Sequence, residues 1–211
     1  MLRTIMGAFA ALCVVAAMPV AAQQAAGPRV PLVQDDTPDP DAQALFKELR
    51  ARGTAPLNLH RVYGNAPKLA RTSLAVAQAL RYDAVVSRSD KELIILRATQ
   101  LARGDYPFGQ HVRLAISCGI TAEQIESLPR WRDSKLFSDR QRAVLAFADA
   151  MASPDGVDDA TFDAMKAFFT NQEIVELTMN AAFYSANSQI SRTLRITAEG
   201  NPKGGSYGAC K

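Results

Sequence analysis

Two octapeptides 49 residues apart, SDKELIIL from Ser89 and SDRQRAVL from Ser138, restrict what this chain can fold into. Each opens with a hydroxyl residue followed three places later by Glu or Gln, the pattern of a helix capping box at the head of an apolar run. Two more such starts, Thr121-x-x-Gln124 and Thr170-x-x-Glu173, stand at the same offset, and there ITAEQIESL lies over FTNQEIVEL. Leu96 then meets Leu145, Ala115 meets Ala164, Ile125 meets Ile174 and Leu128 meets Leu177. The spacing predicts two copies of one helical unit, roughly residues 84–130 and 133–180, within an all-α fold. Two copies are too few for a solenoid, which needs at least about three. Asp39-Pro40 opens a further helix carrying Leu45, Phe46 and Leu49 and ending at Gly53. Pro67 starts another with Leu69, Val76, Ala77 and Leu80 on one face, and a final helix is expected over about Thr178–Ile196.

The ends read differently. Arg3, an apolar run from Ile5 to Ala17, and small-residue positions at Val20 and Ala22 predict a secretory signal peptide over residues 1–22. The protein is then exported, to the periplasm or beyond. The run is too short to span a bilayer comfortably, so no membrane association is expected after cleavage. Residues 23–40 are expected to be a flexible lead-in, 41–198 the helical domain, and 199–211 a flexible tail that a bridge at Cys210 would pin. The formal charge of +3 drops by one when Arg3 leaves, which gives no reason to expect nucleic acid or an anionic membrane as partner. Cys13 leaves with the signal. Cys118 and Cys210 remain, as a disulfide or as two thiols, and no CxxC occurs anywhere.

The chain has two histidines. In the repeat His111 falls opposite Ala160 and Glu92 opposite Gln141, so both titratable groups belong to the first copy alone. Gly104 ends one helix, Asp105 can cap the next, and Pro107 suits its first turn. From there Phe108, His111, Ala115 and Cys118 form one inward stripe. A buried imidazole on that stripe needs partners for both nitrogens, as a core residue or as a proton-handling group. Glu92, third after Ser89, has an ordinary task available, reaching back to the Ser89 amide as Gln141 can in the second copy. His60, in PLNLHRVYG, has no acidic neighbour in sequence and is read as structural. Two histidines without a Cys/His cluster do not suggest a metal site.

Residues 90–120, DKELIILRATQLARGDYPFGQHVRLAISCGI, resemble the carboxymuconolactone decarboxylase family, which includes the alkylhydroperoxidase D-like proteins. The similarity extends over most of residues 57–196 and takes in NLHRVYGNAPKLA and FSDRQRAVLAFADAM. Its specific part is a Glu followed nineteen residues later by a His in a Tyr-x-Phe/Trp-x-x-His context, matched by Glu92, Tyr106, Phe108 and His111. The resemblance implies an alkylhydroperoxidase D-like helical bundle, assembly as a homo-oligomer (trimer or hexamer), and a small-molecule substrate. The peroxidase branch places cysteines seven and four residues before the histidine. Here those places hold Gly104 and Pro107, which supply no thiolate. The decarboxylase branch needs no cofactor. By that likeness His111 is the acid/base, Glu92 orients it, Tyr106 donates to a lactone or enolate oxygen, Phe108 lines the substrate, and Arg97 and Arg113 are candidate carboxylate clamps. For both arginines a solvated helix-face role is the other reading. A peroxiredoxin-type antioxidant and a non-catalytic oligomeric binding protein are the alternatives. LIILRATQLA and IVELTMNAAFY carry more apolar surface than a small bundle easily buries, which agrees with self-association.

Overall fold

Side-chain caps set most of the helix starts. Asp39, Ser87, Thr121, Ser138, Asp158 and Thr170 each accept a backbone N–H from the first turn of the helix that follows. The computed structural model describes residues 27–199 and 210, and the signal-peptide reading falls outside them. The helices are α1 (Pro40–Ala51), α2 (Asn58–Tyr63), α3 (Pro67–Tyr82), α4 (Arg88–Leu101), α5 (Asp105–Ser117), α6 (Ala122–Ser127), α7 (Asp139–Ala152), α8 (Asp159–Lys166) and α9 (Asn171–Leu194), with a 3-10 turn at Leu128–Arg130. No strand occurs among the described residues, and the all-α expectation holds.

Three of the four capping boxes form as read, at Thr121/Gln124, Ser138/Gln141 and Thr170/Glu173. The fourth does not. Ser87, not Ser89, caps α4, accepting the Asp90 N–H at 3.1 Å while its hydroxyl donates to the Asp90 carboxylate at 2.5 Å. Ser87-x-x-Asp90 competes with Ser89-x-x-Glu92 for the same helix end; the earlier pair forms, and the Glu92 carboxylate is engaged by Arg88 and His111 instead. Caps at Thr121 and Thr170 keep the 49-residue offset, whereas α4 and α7 start 51 apart and α5 has 13 residues against eight in α8. The two-copy register therefore does not extend through the helix starts.

Helix α4 is the central element and packs against α5, α7 and α9. Every residue from Asp90 to Thr99 is buried, so it is covered on all sides. Leu93, Ile94 and Leu96 join Ala115, Leu145, Leu177, Leu128 and Trp131 in the main core. A smaller cluster of Leu45, Phe46, Leu49 and Ala70 fastens α1 to α3. The polar groups on α4 are all satisfied: Asp90 by Arg140 at 2.9 Å, Lys91 on the Arg81 carbonyl at 3.1 Å, and Thr99 on the Ile95 carbonyl at 2.7 Å.

Three expectations change. The separate helix over Thr178–Ile196 is the second part of α9, one unbroken helix from Asn171, because no breaker interrupts the run. Leu69 and Val76 do not pack inward; they are 76% and 39% exposed, and α3 buries Ala70 and Leu80 instead. Residues 27–39 have no regular structure but are not a loose lead-in. Arg29 N–H bonds the Leu194 carbonyl at 2.9 Å, Val33 N–H bonds that of Arg61 at 3.1 Å, and Asp35 pairs with Arg50 and Arg61. In the expected tail, Glu199 and Cys210 are both fastened, and the other tail residues lie outside those described.

Candidate functional site

Helices α4 and α5 form an antiparallel hairpin whose turn is made by Arg103, in the left-handed region at φ 54°, and Gly104. Gly104 is there for space: a Cβ would overlap the Ser188 side chain of α9. Asp105 is the first residue of α5 and does not cap it; Gly104 holds the cap position. This close crossing brings α5 down onto α9 and turns His111 inward, between Glu92 on α4 and Tyr184 on α9.

The His111 Nδ1 lies 2.6 Å from Glu92 Oε2. The second carboxylate oxygen accepts from Arg88 Nε at 2.7 Å. Glu92 is fully buried. Burial opposes its ionisation, but the charge and hydrogen bond of His111 together with the Arg88 guanidinium outweigh that, and its pKa lies below the ordinary glutamate value. An ionised carboxylate only accepts hydrogen bonds, so the proton between the two groups sits on Nδ1, and Nε2 is the ring nitrogen left to take up or give a proton. Among the described residues Nε2 has no hydrogen-bond partner, and His111 lines a cavity. The ring stands edge-on to Tyr184, centroids 4.5 Å apart at 79°.

That cavity, about 90 Å³, lies between α2, α3, α5 and α9. Leu49, Leu57, Leu74, Ala77, Pro107 and Phe183 give it apolar walls. Its one arginine among the described lining residues is Arg81, whose positive charge acts on the Tyr184 phenol. Tyr63 donates to Asn187 Oδ1 at 2.9 Å, and burial pushes its phenol up to about 12, so it is a neutral donor at any working pH. Ser191, only 2% exposed, also lines the cavity, and its hydroxyl has no partner among the described residues. His60 lines it too.

The residues singled out from the sequence do not all meet here. His111, Glu92 and Tyr106 belong to the site, although the Tyr106 hydroxyl is engaged, donating to Glu199 Oε1 at 2.8 Å and accepting the Leu59 N–H at 3.3 Å. Phe108 does not line the cavity; it packs against the main core. Arg97 is no clamp. It is buried on the other side of α4, bonded to Asp149 at 2.6 Å and to the Leu128 carbonyl at 3.0 Å. Arg113 is exposed on α5 and away from the cavity lining. Cys118 and Cys210 are joined in a disulfide with Cα atoms 5.0 Å apart, outside the cavity lining. Arg81, Tyr184, Asn187 and Ser191 were not signalled by any motif, because they come from α3 and α9 and meet His111 only in the tertiary fold. Among the described residues no three His, Cys, Asp or Glu side chains come together as a metal site. No described helix is long and apolar enough to cross a membrane.

Residues 67–150 match the carboxymuconolactone decarboxylase family model. The uncharacterized protein YnjA of Escherichia coli K12 is 31% identical over 81 residues, 38% of this chain and 44% of that relative, so the match spans less than half of the relative's length. Among solved structures, an uncharacterized peroxidase-related protein of Ralstonia eutropha JMP134 with an alkylhydroperoxidase AhpD core is similar at a TM-score of 0.67 and 20% identity, over 82% of this chain and 93% of its own. The debrominase Bmp8 in complex with 2,3,4-tribromopyrrole is similar at a TM-score of 0.67 and 18% identity, over 82% and 94%. At those identities the likeness establishes the alkylhydroperoxidase D-like fold and nothing finer.

Proposed function

We propose that this chain, whose residues 67–150 match the carboxymuconolactone decarboxylase family model, is a cofactor-independent proton-transfer enzyme, a lyase or isomerase acting on a small carboxylated or lactone substrate. The observation that carries this reading is the buried Glu92–His111 pair with the second ring nitrogen on the cavity. Loss of CO₂ from a carbon conjugated to a carbonyl leaves the bonding pair as an enolate. Protonated His111 gives its Nε2 proton to that carbon, and water then reprotonates the ring. Run as an isomerase, the Nε2 lone pair takes a proton from one carbon and returns it to another. Glu92 holds the ring at Nδ1 and stabilises the imidazolium. A positioned acid/base of this kind is worth about 10²- to 10⁴-fold in rate. Arg81 is the cation among the described lining residues that a substrate carboxylate would meet, and the apolar walls keep water from the intermediate.

A thiol-peroxidase activity has less support, since Gly104 and Pro107 stand where the resemblance would want cysteines and Cys118 is bonded to Cys210. We further read the protein as exported and as a homo-oligomer, trimer or hexamer. The apolar segment Ile5–Ala17 supports the first and the exposed Leu69, Val85, Val175 and Met179 the second. The deciding assay follows CO₂ release and proton exchange across a panel of β-keto acids and carboxylated lactones. Turnover that disappears in His111→Gln and persists in Cys118→Ser is the expected result. An inert wild type, with His111→Gln changing only thermal stability, would favour a non-catalytic binding protein.

A further inference from the structure

His60 stands in the same cavity as His111 with the opposite proton arrangement. Its Nδ1 accepts the backbone N–H of Leu57 at 3.0 Å, closing the capping box of α2. A nitrogen that accepts a hydrogen bond cannot carry a proton, so the neutral ring holds its hydrogen on Nε2. That Nε2 has no partner among the described residues, and the ring lines the cavity while only 4% of the residue is exposed. His111 thus turns its proton-exchanging Nε2 to the cavity, and His60 turns a fixed N–H to it.

We propose that His60 is a second catalytic imidazole, a neutral donor that stabilises negative charge developing on a substrate oxygen while His111 handles the proton on carbon. This rests on the proton-transfer reading above and names the group that reading lacks. In the decarboxylation the C–CO₂ bond breaks, its electron pair moves into the neighbouring carbonyl, and the resulting enolate oxygen accepts the His60 Nε2–H; no proton leaves His60. A neutral imidazole is well suited, because a weak acid donates to an enolate without fully protonating it. The charges around the ring are consistent with a permanently neutral group. Burial holds His60 down to about 4, with Glu199 acting against that and Arg81 and Arg61 adding to it.

Two substitutions separate the donor from the cap. His60→Asn leaves an amide oxygen near the Nδ1 position for Leu57 and removes the cavity N–H. His60→Gln, a residue favoured at the third helical position, supplies both an acceptor for Leu57 and an N–H for the cavity. The probe is 4-nitrophenol, whose bound anion is read from its visible absorbance. The wild type is expected to bind it as the phenolate, H60N to lose about tenfold or more in affinity and about 10²-fold in kcat with little change in KM, and H60Q to recover most of both. Probe affinity that depends on His60 in a protein that turns over nothing in the panel would sink the proposed function and keep the donor. Turnover and probe affinity both unchanged in H60N overturn the donor and keep the function. A wild type that leaves the phenol unbound, or binds it neutral, overturns the donor as well.

Discussion

Arg88 and His111 bind the two oxygens of one buried carboxylate, Glu92 Oε1 at 2.7 Å and Oε2 at 2.6 Å. Both partners favour the ionised carboxylate against its burial, His111 more than Arg88, and each fixes one of its oxygens. Glu92→Gln keeps a bond to Nδ1 but loses the charge that stabilises the imidazolium and leaves Arg88 facing a neutral amide. Turnover is expected to fall about 10²-fold with little change in KM, as for other groups that orient a catalytic side chain. Arg88→Gln should fall less, since the carboxylate remains. Steady-state kinetics on the pair and on the double variant measure the coupling; equal losses in the two single variants would contradict the assignment.

The arginines make opposite predictions. Arg97 is a buried structural cation, held on Asp149, which also takes the Trp131 indole N–H at 3.1 Å. Arg97→Met is expected to cost about 3 kcal/mol of stability by leaving a buried carboxylate with poorer partners, and to leave KM unaltered. Arg81→Gln should do the reverse, raising KM about tenfold for carboxylated substrates through the lost charge-assisted contact. Urea denaturation and a KM comparison on the two variants read this directly.

The sequence offered Arg97 as a candidate clamp and was silent on Arg81, for a physical reason. Arg97 and Glu92 share a helix, and only the packing of α7 on one side and α5 on the other separates their environments. Arg81 carries no local signature, since its position at the cavity depends on how α3 lies on α9. By contrast, the pair Glu92 and His111 was readable through the family resemblance, while local pattern by itself gave Glu92 only a place in a capping box. The boxes at Thr121, Ser138 and Thr170 were readable from local pattern. Where two overlapping boxes competed, at Ser87 and Ser89, local pattern had no means to choose.

Acid should destabilise the fold through His60 before the carboxylates contribute. Its native pKa of about 4 lies below the ordinary 6.5. As pH falls from 6.5 to 4 the unfolded chain takes up a proton that the native ring refuses, so stability is complete above 6.5 and declines across that window. The full loss is about 3 kcal/mol. Denaturation midpoints measured between pH 7 and 4.5 should slope downward in the wild type and be flatter in H60N. Parallel curves would mean that the ring is not held neutral.

The bridge between Cys118 and Cys210 closes a loop of 92 residues that includes α6 to α9. A cross-link of that length is worth about 4.6 kcal/mol on the chain-entropy account, so Cys118→Ser or full reduction should lower the melting temperature well beyond the effect of losing one half-buried sulfur. Activity at temperatures below the transition should persist, because neither sulfur lines the cavity.

Gly104 is the point at which sequence, packing and site geometry meet. A methyl group there would collide with Ser188 and stand 3.1 Å from Pro107 Cγ, so α5 could accommodate it only by lifting off α9. Gly104→Ala is therefore expected to cost about 1–3 kcal/mol through overpacking. The displacement also moves the base of the helix that carries His111, and kcat should fall in the folded fraction. Ser188→Gly removes the opposing atoms and should restore activity to the double variant more fully than stability, since a glycine inside α9 carries its own helix penalty of about 1 kcal/mol. Melting curves and turnover on the two single variants and the double variant measure both quantities. If the double variant is no more active than Gly104→Ala alone, contact with Ser188 is not what positions α5.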